Sequence, residues 1–252
     1  DWADQTHLVA RVGPTIRGHG HQDALSFVLY GGGGPVIIDP GGPYLYRWPE
    51  RQHFLSVSAH NAVMVDGLDF GDDSGRGDVR IDGWGVSDNF LWLIAHHDKV
   101  PQVRVTRAFV LLSGRLLLLL DVMEPADSKS HLYTLGLHFP PDTVVHLGSD
   151  EVRVRPAEGR DVQVFRQGAG GQVEISLIEG AREPRLAGWV TPSPGRLEPA
   201  PLVQWNWSAV GTSASATVVS LATDQERVHG VTLAGEAQGG RVVTVETSRG
   251  RY

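Results

Sequence analysis

Residues 102–122 read Gln102-Val103-Arg104-Val105-Thr106-Arg107-Ala108-Phe109-Val110-Leu111-Leu112-Ser113-Gly114-Arg115-Leu116-Leu117-Leu118-Leu119-Leu120-Asp121-Val122. Val103, Val105, Arg107 and Phe109 alternate with Arg104, Thr106 and Ala108. Side chains on a strand point to opposite faces in turn, so this period of two predicts a half-buried strand. The apolar run from Phe109 to Val122 is interrupted by Ser113-Gly114-Arg115, which reads as a hairpin turn. Arg115 to Asp121 is a nearly continuous leucine run, as expected of a strand covered on both faces. With the turn in place, no apolar stretch is long enough to predict a membrane-spanning helix.

Outward from this hairpin the same signature recurs. Short β-rich segments are predicted near residues 6–12, 24–30, 35–39, 62–66, 79–84 and 89–96 before it. After it come segments near 130–139, 143–147, 151–155, 161–166, 172–178, 202–208, 215–223, 228–234 and 241–247. Thirty-one glycines and fifteen prolines supply the turns that separate them. No amphipathic stripe with helical period appears. The prediction is an all-β protein, a large antiparallel β-sandwich of about sixteen strands. Residues 1–252 are expected to form one domain, with a weak sub-boundary near 180–201, where Pro, Gly and Arg crowd without periodicity.

The formal net charge of −7 argues against a general polyanion-binding surface, and against nucleic acid in particular. Lys99 and Lys129 are the only lysines, so the basic charge is almost all arginine. Such a skew accompanies a GC-rich genome, and it also suits bidentate recognition of carboxylate or sulfate. There is no cysteine, which excludes disulfides and thiolate metal ligands and leaves the compartment open.

Chemistry concentrates near the start. Arg17-Gly18-His19-Gly20-His21-Gln22-Asp23 precedes the strand Ala24 to Tyr30. In extended backbone His19 and His21 project to the same face. Downstream, Val36-Ile37-Ile38-Asp39-Pro40-Gly41 ends a strand in a carboxylate, and Ser58-Ala59-His60-Asn61 leads into another. Two imidazoles and a carboxylate arriving from three strand ends form a possible ligand set for zinc. Spacing alone equally allows hydrogen-bonded histidines with no ligand role. Between Asp39 and His60 a long predicted loop holds Tyr44, Tyr46, Arg47, Trp48, Arg51, His53 and Phe54. Its aromatics either stack on sugar rings or plug the end of the core. Arg17, Arg47 and Arg51, with Tyr44 and Tyr46, are the candidates for contacts to an acidic substrate.

The strings Gly18-His19-Gly20-His21-Gln22-Asp23-Ala24-Leu25-Ser26-Phe27, Ile38-Asp39-Pro40-Gly41 and Ala59-His60-Asn61-Ala62-Val63-Met64-Val65-Asp66-Gly67 resemble the heparinase II/III-like polysaccharide lyases, in their C-terminal β-sandwich domain. Weaker echoes lie at Arg104 to Asp121 and Gly188 to Pro201. The resemblance implies that His19 is a catalytic histidine. It implies that His21, Asp39 and His60 hold zinc or another divalent metal. The implied reaction is β-elimination in a uronic-acid-containing polysaccharide, in a cleft shared with an N-terminal α/α toroid, and the implied location is bacterial, periplasmic or secreted. No toroid is present and Asp1 is not Met, so the chain is expected to be a piece of a longer lyase, inactive on its own. A component of a two-chain enzyme and a free-standing domain are the other readings.

Two alternatives compete. A non-catalytic carbohydrate-binding or structural metal module would keep the metal residues without needing His19. A cupin-like metal enzyme also carries two histidines one residue apart, but wants Glu shortly after the second, where this chain has Leu25 and Ser26. A serine hydrolase lacks support because no Gly-x-Ser-x-Gly elbow occurs. His96-His97-Asp98 reads as a solvated turn, Trp205 and Trp207 as core, and His131, His138 and His146 as packing or surface residues.

Overall fold

The structure, a computed structural model, describes residues 5–14, 20–42, 45–70, 79–149, 151–168, 172–221, 227–237, 240–248 and 250–252. In chain order the first strands are β1 (His7–Ala10), β2 (Phe27–Gly31) and β3 (Gly34–Ile37). A short helix α1 (Arg51–Leu55) and a 3₁₀ turn (Val57–Ala59) follow, then β4 (Val63–Val65), β5 (Arg80–Val86), β6 (Phe90–Val100), β7 (Val103–Leu112) and β8 (Leu116–Pro125). Next come β9 (Ser130–His138), β10 (Val144–Leu147), β11 (Glu151–Arg155), β12 (Val162–Gly168) and β13 (Glu174–Ile178). The last are β14 (Trp189–Ser193), β15 (Arg196–Pro199), β16 (Leu202–Val210), β17 (Ser213–Ser220), β18 (Val228–Ala237), β19 (Gly240–Thr247) and β20 (Gly250–Arg251).

The all-β expectation holds, with twenty strands among the described residues rather than sixteen. Two antiparallel sheets form the sandwich. The larger runs β10-β11-β12-β17-β8-β7-β6-β5 and the smaller β13-β16-β9-β4. Val105, Phe109, Leu119, Met123, Val164 and Val219 of the large sheet share one core with Leu135, Leu137, Val203, Trp205 and Trp207 of the small one. The two tryptophans are therefore core, as predicted. The outer face of β8, β12 and β17 is covered in turn: Leu116, Phe165, Ala216 and Val218 pack with Val228, Val231 and Val245 of the β18–β19–β20 sheet. That second cover explains why β8 needs leucine on both faces. The turn joining β7 to β8 has Ser113 and Gly114 at φ 48° and 62°, the left-handed geometry of a tight hairpin.

Three expectations are corrected. The segment 40–60 contains α1 and the 3₁₀ turn, and Phe54 is fully buried, so part of its aromatic content does plug the core. His96-His97-Asp98 is not a solvated turn, because β6 continues through it. His97 is buried against Phe70 with ring centroids 4.8 Å apart, and burial pushes its imidazole down to about 3. Residues 180–201, which show no periodicity in sequence, nevertheless hold two strands, since β14 and β15 pair there as a hairpin. Among the described residues no helix is long and apolar enough to cross a membrane.

His131, which the sequence leaves as a packing or surface residue, is clamped between Asp66 at 2.8 Å and Asp127 at 2.9 Å. Hydrogen bonds to Asp127 and Asp66 raise its pKa above 6.5. A raised folded value means that the protonated clamp stabilises the fold fully below the unfolded value and is lost as pH rises through the folded one. Urea midpoints are expected to fall from pH 6 to pH 8.5, and less so in Asp127→Asn. Parallel profiles for the two proteins would remove the clamp from the list of pH-sensitive contacts.

Candidate functional site

Three chain segments meet at one end of the β1–β2–β3 sheet. The stretch entering β2 carries His21, the turn leaving β3 carries Asp39, and the 3₁₀ turn before β4 ends at His60. The first is tied to the helix by the Gln22 N–H donating to the Leu55 carbonyl at 2.9 Å. The second is closed by the Gly41 N–H donating to Asp39 Oδ1 at 2.9 Å. Behind it stands the β14–β15 hairpin, whose Thr191 N–H donates to the Pro40 carbonyl. Gly41 has φ 89° and lies so close that a Cβ there would sit 2.9 Å from the Thr191 carbonyl oxygen, so the turn needs glycine on both counts.

His21, Asp39 and His60 are brought together. His60 Nδ1 lies 2.8 Å from Asp39 Oδ2, and the His21 and His60 rings are 5.2 Å apart. His60 is 1% exposed, whereas Asp39 and His21 remain open on one side. Burial and the neighbouring His60 hold His21 below its ordinary pKa. Burial tends to raise Asp39, but its hydrogen bond to His60 and the His60 charge outweigh this and leave the carboxyl below its usual range. Shifts in these directions favour the ionised Asp39 and the neutral His21, the forms in which both can bind a cation.

Two further histidines join the group. His53, on α1, is pushed down to about 4 by burial, then by His60 and Arg185. His138, at the end of β9, is pushed down to about 3 by burial, with Asp39 opposing and His60 adding to the effect. The sequence expectation of packing or surface for His138 misses this membership. Nothing near either residue in sequence signals the site.

The cluster rests on Asn61 and Arg107. Asn61 Nδ2 donates to the carbonyls of Phe27 at 2.8 Å and Ile38 at 2.9 Å, and its Oδ1 accepts from the His138 N–H at 2.9 Å. Arg107, from the large sheet, grips Asp121 through Nε at 2.6 Å and Nη2 at 3.1 Å. Its Nη1 donates to the carbonyls of Leu25 at 2.8 Å and Asn61 at 2.7 Å. Leu25 sits at φ 60°, a strained position for a side chain of its size, and it is held there by this bond and by its own N–H on the Arg11 carbonyl.

Of the remaining candidates, His19, Arg17 and Tyr44 lie outside the described residues. Arg51 stacks 5.0 Å over Tyr46 and its charge reaches His21, so both border the cluster. Arg47 is exposed. Among the described residues no group of three or more histidine or acidic side chains is arranged as a preformed metal site. The donor set nevertheless suits a divalent ion of the zinc type. Among the described residues His60 Nε2 is buried with no hydrogen-bond partner, and its Nδ1 faces Asp39 Oδ2, so in this arrangement Asp39 orients the His60 ring from the edge away from Nε2.

The family model for the heparinase II/III-like C-terminal domain matches residues 2–242. No curated protein sequence matches. Among solved structures, the heparinase III BT4657 gene product superposes with a TM-score of 0.84 at 15% identity, over 100% of this chain and 39% of that one. Heparan sulfate lyase HepC from Pedobacter heparinus gives 0.80 at 14% identity over 98% of this chain and 38% of that one. A further heparinase III gives 0.77 at 12% identity over 98% and 38%. The chain thus spans less than two fifths of the length of these proteins, and at such identities the likeness is one of fold.

Proposed function

The chain belongs to the heparinase II/III-like family as its C-terminal domain, and on that premise we propose that it is the metal-holding β half of a polysaccharide lyase. The substrate is an acidic polysaccharide containing uronic acid, cleaved by β-elimination in a cleft completed by an N-terminal α/α toroid. The observation that carries this reading is the meeting of His21, Asp39 and His60, from three segments, two residues along from His19.

His19 takes the role of base. A neutral imidazole, with an ordinary pKa of about 6.5, removes a proton near neutral pH without an activating partner. The proton beside a uronate carboxylate is weakly acidic until the carboxylate charge is offset. Arg51, against Tyr46 and within reach of His21, is the candidate best placed among the described residues to attract that carboxylate. His21, Asp39 and His60 would hold the divalent ion, zinc by their chemistry. Bound there, it supplies positive charge that disfavours protonation of neighbouring imidazoles and fastens three loops together. The chain's own residues preorganise the cluster: without the ion Asp39 fixes the His60 ring, a contact that would give way for both to face one cation, and Asn61 fixes the turns that carry both.

The test uses the complete enzyme, with release of unsaturated uronate as the readout. His19→Ala is expected to lower turnover by at least about 100-fold while leaving metal content unchanged. His60→Ala is expected to lower both. Full activity in His19→Ala would favour the structural metal module, and full metal content in His60→Ala would move the ligand set elsewhere. The 252-residue chain alone is expected to be inactive.

A further inference from the structure

Away from the histidine cluster, the inner face of the large sheet carries a second polar group with no role so far. Arg166 lies on β12 on the same face as Val162 and Val164, and Thr217 is its ladder partner on β17. Ser215 is two residues along on that face, opposite Asp121 of β8. From the small sheet, Trp207 lies under the Arg166 guanidinium at 4.0 Å, and Tyr133 packs against Trp207 at 5.5 Å. A cavity of about 100 Å³ leads to Arg166 past Ser149, Val164, Ile175 and Trp205.

The hydrogen-bond inventory of this pocket is one-sided. Arg166 Nε and Nη2, Thr217 Oγ1 and Ser215 Oγ are all buried, and none has a partner among the described residues. Every one of these groups can donate. The Nε/Nη2 edge is the fork that grips a carboxylate side-on. In this same chain Arg104 uses it on Asp98, Arg107 on Asp121 and Arg155 on Asp161. Arg166 presents the same fork to no described residue. Asp121 is the carboxylate that acts on it electrostatically, but both oxygens of Asp121 are engaged by Arg107. Glu151, at the cavity wall, is held by Arg153 and Gln163. Burial accordingly drags the Arg166 guanidinium down to about 10. A largely buried guanidinium whose fork meets no described carboxylate is costly, and that fork beside two hydroxyls able to donate is the complement of an anion.

We propose that this pocket between the sheets is an oxyanion site, in which the Nε/Nη2 fork of Arg166 grips a sulfate or carboxylate group that also accepts from the Thr217 and Ser215 hydroxyls. Trp207 supports the guanidinium from below, and the cavity admits a group of this size and little more. The site stands whether or not the domain belongs to a lyase. Its ligand is either a free inorganic oxyanion or the charged group of an acidic sugar, which share the chemistry that Arg166 reads.

Thermal unfolding at fixed ionic strength tests it, with sodium sulfate or sodium glucuronate replacing sodium chloride. The wild type is expected to show a saturable rise of roughly 5–10 °C at a hundredfold excess over Kd. Arg166→Lys keeps the charge but loses the fork, and should shift by less than about 1 °C. A response to sulfate alone identifies a free oxyanion, and a response to glucuronate identifies a sugar-borne one. Selenate soaked into wild-type crystals gives a readout independent of any variant, an anomalous peak beside Arg166. Equal shifts in the two proteins, or no selenate peak, would overturn the proposal and leave ordered water as the partner of these donors.

Discussion

Arg107→Ala is expected to lower the unfolding free energy by about 3–5 kcal/mol, the cost of stripping one partner from a buried ion pair. Arg107 and Asp121 are 1% and 0% exposed, so neither charge can fall back on water. Truncation leaves the Asp121 carboxylate unpaired in the core and takes the donor from the Leu25 and Asn61 carbonyls. Each buried acceptor left unmade adds roughly 1–3 kcal/mol in isolation, and relaxation of the loops recovers part of that. The guanidinium also lies 5.7 Å from the Phe27 ring and 5.9 Å from Phe109, so packing is lost with the charge. Urea unfolding of both proteins at pH 7 measures the difference. Arg107→Met with Asp121→Leu should recover much of the loss, because removing both charges also removes the desolvation penalty. The double variant should not recover the site, since the strained Leu25 turn still lacks its donor. A single-variant loss below about 1 kcal/mol would mean that Asp121 finds another partner and that Arg107 is not the bridge between the large sheet and the histidine turns.

This bridge shows what the sequence makes legible and what it hides. Alternation in β7 and the leucine run of β8 place Arg107 on the inner face by counting alone, and the hairpin register then sets it opposite Asp121. The same counting cannot say that its third donor edge reaches across to Leu25 and Asn61, because that contact depends on how the β1–β2–β3 sheet lies over β7. The local strings around His21, Asp39 and His60 are readable because each ends or begins a strand beside a turn. His53 and His138 are not, since a five-residue helix is too short to express a helical period and a strand end carries no mark of what it meets. The β14–β15 hairpin escapes for a related reason: its prolines and glycines erase the alternation that betrays the other strands. His96-His97-Asp98 misleads in the opposite sense, as polar composition there hides a strand whose His97 faces the core. Arg166 was equally invisible as a site, for its meaning lies in hydrogen bonds that no described residue makes.

Asn61→Ala is the second large effect expected, a loss of roughly 3–5 kcal/mol together with weakened binding at the proposed metal site. Asn61 is fully buried and its side chain bonds to β2, to the residue that follows β3 and to the end of β9. Its Nδ2 satisfies the Phe27 carbonyl, at the start of β2, and the Ile38 carbonyl, just before Asp39. Its Oδ1 takes the backbone N–H of His138 and faces His138 Nδ1 at 3.1 Å. Without the amide each of those groups loses its Asn61 partner and carries a desolvation cost into the variant. Asn61→Asp is the sharper probe. It preserves the shape and the acceptor for the His138 N–H, but it turns an oxygen toward two carbonyls. A carboxylate there must be protonated to fit, so the Asp variant should be most stable at acidic pH and lose stability as pH rises, while Ala shows no such added slope. Because Ile38 and Asn61 adjoin Asp39 and His60 in the chain and are bonded to each other, either change should loosen that pair. Zinc retained on dialysis should fall relative to the wild type, in step with the unfolding midpoint. Wild-type stability in both variants, or a pH profile for Asn61→Asp that parallels that of Ala, would show that the amide fills space without holding the three turns in place.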